Sequence, residues 1–238
     1  MIFRKKEKQH EGKVGGLAYF CSLIFLCFLG PVNIVLNIGI IDTNSILPWI
    51  SFLITFFAGI AIAHYFIQGH WSVFFHEFKH SLISGFAGNK AKGWNIKEQS
   101  GHFEYAYTKS TAAYNAFISL APYWVPLFSL PVTAISWIFL RDLHYLLTAV
   151  LGICYGMDFL MNIRDISPHQ SDFTETRGGF NVSIIYVIAM NLTIFSYYAA
   201  FISQGISGFK LITFKLAEIM LHLIANYRGI PIDNISIL

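Results

Sequence analysis

Thr43-Asn-Ser-Ile-Leu-Pro-Trp-Ile-Ser-Phe-Leu-Ile-Thr-Phe-Phe-Ala-Gly-Ile-Ala-Ile-Ala-His-Tyr-Phe-Ile-Gln-Gly-His-Trp-Ser-Val-Phe-Phe-His76 contains no Asp, Glu, Lys or Arg. An isolated charge at mid-bilayer costs at least roughly 2.5–3.5 kcal/mol, and about 20 residues at a 1.5 Å rise cross the hydrocarbon. This stretch therefore predicts a membrane span. Similar windows run from Val14 to Ile41, Ser110 to Leu140 and Gly178 to Phe209, and Leu143 to Ile163 is broken only by Asp158. Five spans are expected.

Composition agrees with this. The 238 residues are 55% hydrophobic, 17% aromatic and 12% charged, whereas soluble domains carry about 25% charged residues. Too few polar groups remain to cover a surface facing water. We expect an all-α polytopic membrane protein folded as one domain over 1–238. A basic tail (1–13) precedes a transmembrane core (14–204), and an amphipathic helix with a tail (205–238) follows it. Cys21, Cys27 and Cys154 fall inside the spans without motif spacing and are read as packing residues.

Orientation follows from the basic residues. Arg4, Lys5, Lys6, Lys8 and Lys13 precede the first span, and no small-residue cleavage site follows, so the N-terminus is expected in the cytoplasm as a retained anchor. Alternation then puts Lys90, Lys92, Lys97 and Lys109 in one inner loop and Arg164 and Arg177 in another. The net charge of +3 is accounted for by orientation, and the basic residues form no stripe suited to nucleic acid. In Phe209–Tyr227, charged residues alternate with Leu, Ile, Phe and Met at helical spacing, which suits an amphipathic helix on the inner leaflet or one packed across the bundle ends.

The chemistry lies in His76-Glu77-Phe78-Lys79-His80. On a helix two imidazoles four residues apart differ by about 40° around the axis, so both can reach one ion. Such a pair suits tetrahedral Zn²⁺, whose catalytic sites use three protein ligands. Glu77 stands beside that face, placed to take a proton from water. The motif continues an apolar helix from Trp71-Ser-Val-Phe-Phe to Ser81-Leu-Ile-Ser-Gly, where four ionisable side chains must be paired, metal-bound or wet.

If the motif faces the cytoplasm, Asp158, Asp165, Asp172 and Glu175 lie on its side of the membrane. Asp172 sits in the turn-rich Ile166-Ser-Pro-His-Gln-Ser-Asp-Phe173, which can fold back into the mouth of the bundle. Asp158 is a lone carboxylate within a span, and the His169 ring also suits zinc. The residues themselves leave all three open as the third ligand.

Two further patterns stand out. Trp94-Asn-Ile-Lys-Glu-Gln-Ser-Gly-His-Phe-Glu-Tyr-Ala-Tyr107 alternates at Phe103, Tyr105 and Tyr107 around Ser100-Gly101, predicting a small β-hairpin. Such a hairpin either caps the bundle or offers a strand edge to an extended peptide. Pro122, Pro126 and Pro131 should kink the third span and leave carbonyls unpaired.

Over roughly Phe52 to Gly179, the zinc motif on a membrane helix, Leu120-Ala121-Pro122 and Ser171-Asp172-Phe173 resemble the site-2-protease class of intramembrane zinc metallopeptidases, especially its small divergent members. The usual Asn-x-x-Pro-x-x-x-x-Asp-Gly element is represented only by Asn162, Pro168 and Asp172, in that order but at other spacings. The resemblance implies a zinc endopeptidase acting on a membrane-associated protein, with His76, His80 and Asp172 as ligands and Glu77 as general base. The competing expectation is a non-hydrolytic membrane protein, either a metal carrier or a scaffold binding membrane segments.

Overall fold

The computed structural model describes residues 46–97, 100–106, 115–139, 144–174, 176 and 179–229, together with positions 30, 33, 34, 37 and 38. The basic tail, most of the first window, Tyr107, Lys109, Glu175 and Arg177 lie outside the described residues.

The window Thr43–His76 does not form one helix. Helix α1 (Ile46–Phe66) ends three residues before Gly69, and α2 (His70–Phe86) begins a new axis that carries the zinc motif. Gly69 adopts φ 50° and ψ −125°, a conformation closed to side chains with a Cβ, so the chain turns there. The free Ile67 carbonyl accepts a hydrogen bond from the Arg164 guanidinium at 2.6 Å, which holds the corner.

The strands follow α2. Strand β1 (Lys90–Ile96) pairs antiparallel with β2 (Gly101–Ala106), Trp94 opposite Phe103, with a bulge between Ala91 and Gly93. Phe103 is buried and packs edge-on against Trp94. Both strands lie against α2.

The window Ser110–Leu140 is broken as well. It gives α3 (Asn115–Ser119), a 3₁₀ turn (Ala121–Tyr123) and α4 (Ser129–Phe139). Pro126 has no N–H to offer the carbonyl four residues back, so the helical ladder cannot continue through it. Then come α5 (His144–Arg164), the single turn α6 (Ser171–Thr174), α7 (Gly179–Gln204) and α8 (Ile206–Arg228).

Three helices, α1, Tyr145–Arg164 of α5 and α7, are long and apolar enough to cross a membrane. They account for the second, fourth and fifth windows, so the chain has the character of a multi-pass membrane protein with a small two-stranded sheet. α8 is not among the candidate spans and folds back on α7, with Gly208 against the Ala200 backbone.

The helix pair α1–α5 is the most extensive contact among the described elements. A Cβ on Gly156 would stand 2.1 Å from the Phe56 carbonyl oxygen, and one on Gly152 2.6 Å from that of Phe52. Gly152-x-x-x-Gly156 thus lets two apolar helices meet backbone to backbone, where lipid offers no hydrophobic drive for association. Phe52, Leu151, Tyr155, Tyr198 and Ile202 fill the adjoining core, with Phe52 and Tyr155 stacked.

Candidate metal centre

Helix α2 presents His76 and His80 on one face, their rings 5.0 Å apart. The His80 Nδ1–H donates to the Ile118 carbonyl at 2.7 Å, which leaves Nε2 as the free ring nitrogen. His76 turns Nδ1 toward Asp165, 3.6 Å from its Oδ2, and its Nε2 likewise faces inward. Fixing one nitrogen of an imidazole on a carbonyl or carboxylate is how ligand histidines are held in the right tautomer.

The third group arrives from a distant part of the chain. Phe173 is fully buried among Leu120, Tyr123 and Tyr186, with its ring 4.5 Å from that of Tyr123. The Gln170 carbonyl accepts the N–H groups of Phe173 and Thr174 and closes α6. This anchor brings Asp172 Oδ2 to 3.2 Å from His76 Nε2 and 3.5 Å from His80 Nε2, while the Tyr123 hydroxyl donates to the same oxygen at 2.9 Å.

The donor set fits zinc. Two nitrogens and one carboxylate oxygen lie within 4.8 Å of one another, and ligands at zinc bond lengths in a tetrahedron stand about 3.3 Å apart. The two measured N···O separations bracket that value. Burial alone would raise the Asp172 pKa, but the charge of His80 and hydrogen bonds with His76 and His80 outweigh it and hold the carboxyl well below the usual range. Burial opposes ionisation of Asp165 too, yet its bond to His76 and the nearby Arg164 charge keep its pKa low. Both carboxylates are therefore available as anions.

No family model, curated protein or solved structure matches the chain.

Glu77 is 7% exposed and opens onto a cleft of about 580 Å³ that His76 also lines. Its walls include Ser72 and Val73 of α2, Gly101 of the hairpin, and Arg164, Asp165 and Gln170 around the α5–α6 connection. The hairpin stands very close to the carboxylate: a Cβ on Gly101 would lie 2.6 Å from Glu77 Cγ and 2.7 Å from its Oε1. His76, which shares the cluster with His80 and Asp172, and Glu77 thus both face this polar opening.

Asp158 and His169 are elsewhere. Asp158 is fully buried and its carboxylate accepts the N–H groups of Phe128 and Ser129 and the Ser129 hydroxyl, capping α4. His169 is exposed on the connection before α6. Sequence reasoning counted Asp165 among the carboxylates on the motif's side and Lys79 among its ionisable side chains without giving either a role, and it missed Tyr123 beside the candidate ligands. The Lys79 ammonium, buried on the face next to the two histidines, donates to Asn162 Oδ1 at 2.6 Å and to the Pro122 carbonyl at 3.2 Å. A lysine inside an apolar helix was itself the signal, because a buried ammonium requires acceptors.

Proposed function

We propose that the protein is a membrane-embedded zinc endopeptidase of the kind its motifs resemble, cleaving a membrane-associated protein. The observation that carries this reading is the convergence of His76, His80 and Asp172 on one point, with Glu77 beside them at a polar cleft. In this reading five spans place the N-terminus and the cleft on the cytoplasmic side, and α8 lies along the inner leaflet.

His76 and His80 would hold the ion through Nε2, and Asp172 through a carboxylate oxygen. Bound zinc supplies Lewis acidity toward a peptide carbonyl and makes water more acidic. Glu77 takes a proton from the attacking water and returns it to the leaving amine. The lining of Ser72, Arg164 and Gln170 supplies a wet path to a site inside an apolar protein. A helix hides its backbone groups, so the scissile segment must be extended, and the hairpin beside Glu77 offers a strand edge for that purpose.

The test begins with zinc content in detergent. About one zinc per chain is expected in the parent, with marked loss in His76→Ala, His80→Ala and Asp172→Ala and none in His169→Ala. Glu77→Gln should keep the zinc and lose at least about a hundredfold in peptide hydrolysis. Undiminished cleavage by Glu77→Gln would refute the mechanism, and zinc flux into vesicles without proteolysis would favour a carrier.

A further inference from the structure

The polar contacts around the site close into a ring. Starting from α2, Lys79 bonds Asn162 on α5 and the Pro122 carbonyl in the 3₁₀ turn. Asn162 Nδ2 donates to Asn191 Oδ1 on α7 at 3.2 Å, and Asn191 Nδ2 donates to the Tyr123 carbonyl at 2.8 Å. The Tyr123 hydroxyl then reaches Asp172, which returns to His76, one turn from where the ring began.

Pro122 and Tyr123 occupy a stretch where the backbone cannot satisfy itself. Pro126 brings no N–H to the Pro122 carbonyl, and the Val125 N–H is used by Ala121. The lysine and the asparagine supply donors to these two successive carbonyls. They fix the backbone on both sides of the Tyr123 side chain, and with it the direction of the hydroxyl.

We propose that Lys79, the cationic member of His-Glu-x-x-His, is a positioning residue of the metal centre that acts through the 3₁₀ turn and Tyr123 to hold Asp172 against the two histidines. The inference rests on the zinc reading above, and it gives the motif helix a second task. One face carries two ligands, and a neighbouring face sets where the third will stand. Asn162 and Asn191 carry the same constraint to α5 and α7, so the distance between Asp172 and the histidines depends on the packing of the whole bundle.

Zinc dissociation constants, read by competition with a chromophoric chelator, test this without reference to proteolysis. Tyr123→Phe should weaken zinc about 10–100-fold, the range for outer partners of a ligand. Lys79→Gln should weaken it about tenfold in the parent but less than about twofold in Tyr123→Phe, because residues acting through one path do not add. Asn191→Ala, which frees the Tyr123 carbonyl from the other side, gives a second cycle should Lys79→Gln fail to fold. Tyr198→Phe, which loses a buried bond to Ser129 away from the site, should leave zinc affinity unchanged whatever it does to thermal stability. Fully additive losses, an unaffected Tyr123→Phe, or unchanged affinity in a folded Lys79→Gln or Asn191→Ala overturns the proposal. If the parent binds zinc and Asp172→Ala loses it, such a result leaves the zinc site standing. A parent that binds no zinc overturns both.

Discussion

Asp158 accepts two hydrogen bonds from Ser129, one from its N–H at 2.8 Å and one from its hydroxyl at 2.6 Å. A carboxylate deep in a helical bundle is thus committed to the start of α4, where unpaired N–H groups favour negative charge. Asp158→Asn puts an amide donor against these donors. A loss of about 1–3 kcal/mol is expected, visible as a lower melting temperature in detergent, with zinc content unchanged. Zinc lost from a folded Asp158→Asn would return this residue to the list of ligands.

Gly101 tests the hairpin. An added methyl would press on Glu77 Cγ and on the Val73 side chain, each 2.6 Å away, so Gly101→Ala must move either the strand or the carboxylate. Zinc binding should survive while hydrolysis falls about tenfold or more, since small misplacements of a reacting group are expensive. Full activity in Gly101→Ala would show that the strand yields freely and does not set the position of Glu77.

Gly156 and Gly93 make a matched pair for the fold. Gly156→Ala drives a methyl into the Phe56 carbonyl, whereas nothing lies within 4 Å of a Cβ on Gly93. The first should destabilise by about 1–3 kcal/mol through forced separation of α1 and α5, and the second should change little. Equal melting temperatures for the two variants would contradict the close approach.

Acid should loosen the metal-free protein. The folded Asp172 carboxyl titrates well below its unfolded value. Its stabilisation is therefore present above about pH 4 and is lost as pH falls, with a slope of up to about 1.4 kcal/mol per pH unit. Chelator-treated parent should lose more stability between about pH 5 and about pH 2 than Asp172→Asn. Parallel pH profiles would mean that the carboxylate is not held by the histidines.

Much of this arrangement was legible in the residues. Spacing alone put His76 and His80 on one helical face, and the alternation around Phe103 gave the hairpin. Pro168 and Gln170 marked a segment able to turn back, and the turn delivers Asp172 to the histidines. Hydropathy misled at two places. It counts charges, so it ran through Gly69 and through Pro122 and Pro126, where the backbone changes direction without any change in polarity, although the prolines themselves predicted a kink in the third span. It also left Asp158 and Asp172 as rivals, because choosing between them required knowing which backbone donors lay unpaired nearby. The Gly152–Gly156 spacing was present but became meaningful only when Phe56 was found opposite.

The two ends of the site are made at different times. His76 and Asp172 are separated by 96 positions, which translation at about 5–20 residues per second crosses in about 5–20 s. Throughout that interval the nascent chain carries the glutamate and both imidazoles but lacks the carboxylate that completes the set. It also lacks Phe173, which seats that carboxylate. On the proposed zinc-peptidase reading the full ligand set cannot assemble next to the ribosome before the last apolar helices begin to emerge, so the order of synthesis would itself serve as a safety catch.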